Sequence, residues 1–451
     1  MIQSLKNLWG RFLFRDKGIL PTGRLIASWA LFSALLLLGA FFGITWTLIF
    51  TLNVLFLLLS LSDLLFSPRK NEISVTRETP GEMERGLDYD VSVGITSGSE
   101  NHFSFKMTDG LPQSFRTSFP LRGTAGEGTS SFLYKTSAPV RGKYNIEKLY
   151  LRYRSKLGLW EKQKTLTIEE SVKVIPDLTD TKRFLENAQQ FLLYEGLKIR
   201  KMKSGAGEFS KIRNYAVGDD PRKINWRQTA KLQEVMTNEY EPEHGKYITV
   251  LIDCGRMMGA ELTKGNRLER ALEAAMTVSA AALQKGDYVS VLAFSKDVKV
   301  FVPPAKGMAH LQTILQSIYN LEVDSAESNY AAVLSYLQTV QKKRSLLLLF
   351  SDVGSFLHEG GALTYLQRLR QRHLFLMLGI EDRTLLDRAG EEPQSVKNTM
   401  VKSMAQQQLL IKKREKVKWE KRGLQMAEAR EEKLAASAVS HYIDIMNRGL
   451  L

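Results

Sequence analysis

From Leu25 to Ser62 the chain reads LIASWALFSALLLLGAFFGITWTLIFTLNVLFLLLSLS, 38 residues without one Asp, Glu, Lys, Arg or His. A membrane-crossing helix takes about 20 apolar residues, so this run is too long for one span and suits two short ones. Their turn is expected near Gly39–Trp46. Before the run stand Lys6, Arg11, Arg15, Lys17 and Arg24 against Asp16, and after it Arg69 and Lys70. Basic flanks stay on the cytoplasmic side of a bilayer. The expectation is a basic cytoplasmic N-terminus over 1–24, a transmembrane hairpin over 25–66 in the cytoplasmic membrane, and the bulk of the chain in the cytoplasm. A cleaved leader would have an apolar region of about 7–15 residues and a small-residue cleavage site, which this run does not offer.

The pattern then changes twice. Residues 70–176 carry short alternating or β-branched runs, among them YDVSVGI, HFSFKM, KLYLRYR and TLTIEESVKVI, separated by Gly, Pro and Ser; this predicts an antiparallel β-sandwich. From 245 to 451 apolar runs alternate with helical stretches. YITVLID, YVSVLAF, SLLLLFSD and HLFLMLGI have the continuous apolar character of buried parallel strands. Between the first two, Leu268, Leu272, Ala275, Met276, Ser279 and Leu283 share one helical face, with Gly286 as a stop. The whole reads as a multi-domain membrane protein: a two-helix hairpin, a β-sandwich, a linker helix and polar segment over 177–244, and an α/β domain ending in a long charged helix and an amphipathic one.

Positive charge is concentrated as well as abundant. The net charge is +15, and residues 198–231 alone hold ten lysines and arginines against three acids. Such a block attracts an anionic surface, whether phospholipid, nucleic acid or an acidic protein face. Within it lies GEFSKIRNYAVGDDPRKINWRQTAK, residues 207–231. Gly218 can take positive φ and Pro221 fixes the turn after it. Asp219 and Asp220 can pair with Arg213, Arg222 or Arg227, while Trp226 supplies a large apolar body. Two uses follow: a structural clamp between the sandwich and the α/β domain, or a docking face for an acidic partner. Catalysis by the two aspartates is disfavoured, because neither a histidine nor a nucleophile accompanies them.

The segment resembles the bacterial domain-of-unknown-function family 58, with Tyr215, Gly218, Asp219, Asp220, Arg222, Ile224, Trp226 and Ala230 at that family's characteristic positions. RGKYNIEKLYLRYRSKLGLW, NYAAVLSYL and KKRSLLLLFSDV fall in the same order as in that family. The resemblance implies a von Willebrand factor A-like, Rossmann-type domain over 245–451. It also implies a membrane-anchored accessory protein that works with a MoxR-type AAA+ ATPase in assembling or activating other proteins. Domains of this type hold Mg²⁺ through D-x-S-x-S, a later hydroxyl and a further Asp. Here the implied ligands are Asp253, Ser328 (or Asn329) and Asp352, but Gly255 and Met257 stand where two serines are expected, and a thioether does not suit Mg²⁺.

The sequence carries no H-E-x-x-H, no G-x-S-x-G, no P-loop and no Cys/His cluster, and its single cysteine, Cys254, rules out an intrachain disulfide. The expectation is therefore a non-enzymatic membrane-anchored scaffold or adaptor. A metal-dependent ligand-binding receptor is the alternative. A nucleic-acid binder, suggested by charge alone, would need an aromatic-lined basic groove.

Overall fold

The structure is a computed structural model, and it describes residues 18–195, 208–241 and 245–451, with side chains left aside at 188–195, 208–210, 240 and 241. The basic N-terminus expected over 1–24 falls mostly outside the described residues, as do Lys198, Arg200, Lys201 and Lys203 of the basic block. The chain divides into two compact units, Met1–Ile175 and Pro176–Leu451.

In the first unit the apolar run forms two helices, α1 (Gly23–Ala40) and α2 (Trp46–Ser60), joined by a short turn where the glycines suggested one. At 1.5 Å per residue, α1 is about 27 Å long and α2 about 22 Å. A four-residue helix, α3 (Asp63–Phe66), extends the second apolar stretch. Both helices are apolar on most of their exposed surface and long enough, with this extension, to cross a membrane. They are joined by the Phe32–Phe56 ring stack and by the Ser33 hydroxyl donating to Asn53 Oδ1 at 2.6 Å.

The rest of this unit is a sandwich. Strand β1 (Ile19–Pro21) precedes the helices, and β2 (Ile73–Glu78), β3 (Glu82–Glu84), β4 (Asp88–Ser97), β5 (Phe103–Asp109), β6 (Arg116–Thr117), β7 (Leu121–Ala125), β8 (Gly128–Ser137), β9 (Gly142–Arg154) and β10 (Trp160–Ile175) follow them. One sheet runs β1-β10-β9-β5-β7 with β3 beside β10, the other β2-β4-β8-β6. All pairings are antiparallel except β3 with β10. Alternate residues of both sheets, such as Val91, Val93, Ile95, Leu149, Leu151 and Tyr153, fill one shared core.

An ion cluster cross-links the sheets inside that core. Arg77 of β2, with its side chain fully buried, bonds Asp109 of β5 at 2.6 Å and Glu170 of β10 at 3.3 Å. It also donates to the carbonyls of Ile146 and Ile168 at 2.8 and 2.7 Å; the second carbonyl sits where the β9–β10 register slips between Thr167 and Glu170. Tyr134 of β8 donates to the other Asp109 oxygen at 2.6 Å. Burial, reinforced by the Asp109 charge, pushes the phenol well above its ordinary range, so it stays a donor.

In the second unit, α4 (Thr179–Glu195) leads to a small hairpin of β11 (Glu208–Asn214) and β12 (Met236–Glu241), with α5 (Trp226–Leu232) in its connection. Next come β13 (Tyr247–Asp253), a two-stranded ribbon of β14 (Glu261–Leu262) and β15 (Gly265–Asn266), and α6 (Arg267–Gln284). Strands β16 (Tyr288–Phe294) and β17 (Val298–Ala305) precede α7 (Ala309–Ile318) and α8 (Tyr330–Val340). Then follow β18 (Ser345–Phe350), α9 (Val353–Leu357), α10 (Gly360–Arg370), β19 (Leu374–Ile380), α11 (Arg383–Gly390) and α12 (Val396–Lys421). The chain ends with β20 (Gln425–Ala429) and α13 (Leu434–Asn447).

The main sheet is ordered β17-β16-β13-β18-β19-β20, parallel apart from the β17 edge. The four apolar runs read from the sequence are its four central parallel strands. Two strands were not foreseen: β17 bears two prolines on an edge, and β20, in QMAEA, lies in the stretch between the two C-terminal helices. Helix α6 also departs from a one-sided reading. Nearly all its residues are buried, because α13 and α4 pack on it opposite the sheet.

Replacing Arg77 by Ala strands Asp109 and two carbonyls in an apolar interior. The expected loss is about 3–5 kcal/mol, read as an early sandwich transition in denaturant melts of the detergent-solubilised protein. Melts superimposing on wild type would show that the cluster does not bear on stability.

Candidate functional site

The signature segment folds as a braced loop between β11 and β12. Gly218 takes φ +108° and the Asp219 N–H donates to the Ala216 carbonyl at 3.0 Å, closing the expected turn. Arg213 grips Asp219 through two parallel bonds of 2.8 Å, and the same carboxylate accepts the Ala216 N–H at 2.9 Å. Tyr215 donates its hydroxyl to the Asp219 carbonyl at 3.1 Å. Asp220 accepts the Arg222 N–H at 3.0 Å at the head of a single 3₁₀ turn that starts at Pro221. Asn225 caps α5 through the Gln228 N–H at 3.1 Å, and Thr229 Oγ1 accepts the Met236 N–H at 3.0 Å. Most of the motif's polar side chains thus have a local task, and Arg213–Asp219 is the central pair.

Within this unit Trp226 and Arg222 are not packed into the motif. Trp226 is 70% exposed and Val217 fully exposed. Met236 and Thr237 are the buried residues of the motif, with Ile224 bridged to Thr237. Arg222, Arg227 and Lys231 are exposed around it, and their side chains make no ion pair among the described residues. Leu232 and Val235, which sequence reasoning passed over, add exposed apolar surface beside them. A Trp in the first turn of a seven-residue helix gives no sequence signal for which way it faces.

The second locus lies at the C-terminal ends of β13, β16 and β18. The chain leaves β13 for β16 on one side and reaches β18 on the other, so Asp253 occupies the topological switch point where α/β sheets place ligands. Here the crevice is filled by the chain itself. The Asp324 N–H donates to the Cys254 carbonyl at 2.7 Å, the Arg256 N–H to Ala326 at 3.0 Å and the Asn329 N–H to Ser295 at 2.9 Å. The Asp324 carboxylate takes Lys299 at 2.7 Å, the Ser295 hydroxyl at 2.8 Å and the Ala326 N–H at 3.1 Å. These donors, the lysine first, hold it well below the usual carboxylate range.

Asp253 is 1% exposed and surrounded by donors. The Gly255 N–H reaches Oδ1 at 2.8 Å and the Ser328 hydroxyl bonds the same oxygen; Tyr330 and Ser351 reach Oδ2 at 2.9 and 2.5 Å. The two hydroxyls also lie 2.8 Å apart, so two protons serve three contacts. Burial, and then the Asp253 charge, drives the Tyr330 phenol well above its ordinary range.

The structure therefore brings Asp253 and Ser328 together but turns Asp352 elsewhere. One Asp352 oxygen pairs with Arg267, and the other accepts the Ser355 N–H and hydroxyl, both at 2.8 Å. A carboxylate offers about four lone-pair directions, and those of Asp253 are all engaged. Mg²⁺ needs free, hard oxygen ligands in octahedral array, and this donor set does not fit it. Met257 brings none, and a Cβ at Gly255 would stand 1.9 Å from Ser328 Oγ. Among the described residues, no group of three or more His, Cys, Asp or Glu is placed to hold a metal. Ser351, Tyr330 and Arg267 escaped the sequence reading. Ser351 at least adjoins Asp352, whereas Arg267 is 85 residues from its partner and left no trace in spacing.

Gly255→Ser tests whether a hydroxyl at this position creates a Mg²⁺ site. The added side chain overlaps Ser328, so a loss of about 1–3 kcal/mol is expected, with no recovery in millimolar Mg²⁺ and partial recovery on adding Ser328→Ala. Thermal melts of the solubilised protein with and without Mg²⁺ give the answer, and a Mg²⁺-dependent rise in the G255S midpoint would contradict it.

Among curated proteins, "Uncharacterized protein YeaD" of Bacillus subtilis (strain 168) is 22% identical over 204 residues, 44% of this chain and 48% of that protein, so the match spans about half of the relative's length. Among solved structures, the conserved hypothetical protein BatB from Bacteroides thetaiotaomicron aligns at 14% identity and TM-score 0.30, covering 45% of this chain and 100% of that one. A PapD-like domain of human CEP192 aligns at 11% identity and TM-score 0.17 over 23% of this chain and 85% of that one. Residues 211–414 match the family described as "Protein of unknown function DUF58", a segment that takes in both the braced loop and the residues around Asp253.

Proposed function

We propose that the chain is a non-enzymatic, membrane-anchored scaffold whose braced loop docks a partner protein. The observation that carries this reading is Trp226: an indole 70% exposed, on a loop made rigid by the Arg213–Asp219 pair, with Arg222 and Arg227 exposed beside it. Trp and Arg are the residues most enriched at binding hot spots, and a pre-ordered loop spends little entropy on association. The exposed guanidiniums suit an acidic face. The family resemblance points to a MoxR-type AAA+ ATPase as the partner, and to a von Willebrand factor A-like character for the α/β unit. On the same reading the two apolar helices span the cytoplasmic membrane, with their basic flanks and the remaining chain on the cytoplasmic side. The metal-dependent receptor reading lacks comparable support, because Asp253 and Asp352 spend their oxygens on protein donors.

In-cell crosslinking and pull-down of the full-length tagged protein should recover an AAA+ ATPase. Trp226→Ala and Arg222→Glu should each reduce that recovery while leaving melting unchanged. A Trp hot spot is worth about 2 kcal/mol or more, which is roughly a 30-fold loss of affinity for W226A. Equal recovery with wild type and both variants would remove the loop from the docking role, and repeated failure to recover any such ATPase would remove the partner.

A further inference from the structure

The turn between β9 and β10, residues 155–159, is fastened to both apolar helices. Thr22, at the head of α1, donates its hydroxyl to the Gly158 carbonyl at 2.7 Å, and its N–H to Leu159 at 3.0 Å. Asp63, 1% exposed at the end of the second apolar stretch, accepts the N–H groups of Leu159 and Trp160 at 2.8 and 3.0 Å and the Ser155 hydroxyl. Trp160 Nε1 donates to Ser60 Oγ at 3.2 Å. The chain leaving the helices then winds around two lysines of β10. Lys162 Nζ donates to the carbonyls of Leu64, Ser67 and Pro68, each at 3.1 Å, and Lys164 Nζ to those of Lys70 and Ile73 at 2.7 and 2.6 Å. Each ammonium satisfies carbonyls that the winding chain would otherwise leave without donors. The tip of the sandwich is therefore held rigidly where the apolar helices end.

What this collar shows to the outside is chemically mixed. Leu65 is 84% exposed, Leu157 59% and Phe66 55%. Lys156, Arg69 and Arg24 are exposed as well, the last with Nη1 3.5 Å from the Leu157 carbonyl. Apolar side chains ringed by cations, continuous with two apolar helices, form the pattern of an interfacial surface, where aliphatic groups enter the acyl boundary and basic heads meet phosphates. We propose that this collar binds the anionic phospholipid interface, with Leu157, Leu65 and Phe66 inserted and Lys156, Arg69 and Arg24 on the headgroups. The proposal rests on the two helices spanning the bilayer, and it adds that the sandwich tip sits in the headgroup layer.

Single cysteines, Leu157→Cys and Leu35→Cys, carry an environment-sensitive fluorophore in the full chain; the native Cys254 is fully buried and does not compete. The labelled protein is reconstituted in vesicles of phosphatidylcholine, with and without phosphatidylglycerol. The expected result at position 157 is a blue shift and loss of iodide quenching, larger with phosphatidylglycerol. Lys156→Gln with Arg69→Gln should abolish the difference between the two lipid mixtures. A water-exposed probe at 157 with a shielded one at 35 overturns the collar and leaves the spans standing. Exposure at 35 overturns the spans and the collar together. Equal shielding at 157 in both mixtures overturns the anionic preference, and shielding in cells but not in vesicles points to a protein occupant and overturns the lipid one.

Discussion

A carboxylate withdrawn from water has to be given donors, and three buried aspartates meet that demand by drawing together segments far apart in the chain. Asp63 ties the end of the apolar hairpin to the β9–β10 turn. Asp109, through Arg77 and Tyr134, ties one sheet of the sandwich to the other. Asp253 gathers Ser328, Tyr330 and Ser351 over the ends of the central strands. Leaving such a group unpaired costs more than a well-made pair contributes, so each aspartate restricts the arrangements open to its surroundings. Apolar burial supplies the bulk of the stabilisation; these groups decide register and contact.

The same rule separates the two loci in functional terms. Around Asp253 the carboxylate oxygens are all engaged by protein donors, and the segment over 324–329 bonds across the strand ends. In the signature loop Arg213 and Asp219 are spent on each other, but the Arg222 and Arg227 side chains and the Trp226 indole stay exposed. An exposed Trp beside exposed arginines has the composition of a binding hot spot, which is why the loop rather than the crevice carries the functional reading.

Much of the architecture was legible because period and polarity report it directly. The uncharged run became two helices with the turn where glycines clustered, and the four continuous apolar runs became the central parallel strands. The Gly-Asp-Asp-Pro turn formed with its expected geometry. Strands β17 and β20 escaped, since prolines on an edge and a five-residue stretch between helices look like connections until a neighbouring strand supplies the hydrogen bonds. The burial of α6 on nearly all sides was likewise invisible, because its alanines suit either a solvated or a packed face.

The sequence by itself determined the order of parts, the apolar hairpin and the basic block, all of which are properties of local composition and spacing. Only the tertiary structure decided how charges were spent: that Arg213 takes Asp219 while Arg222 is left exposed, that Arg267 answers Asp352, and that Trp226 faces outward. Pairing depends on which groups arrive within about 3 Å of one another. That is set by how sheets and helices pack over tens of residues, which no local pattern encodes.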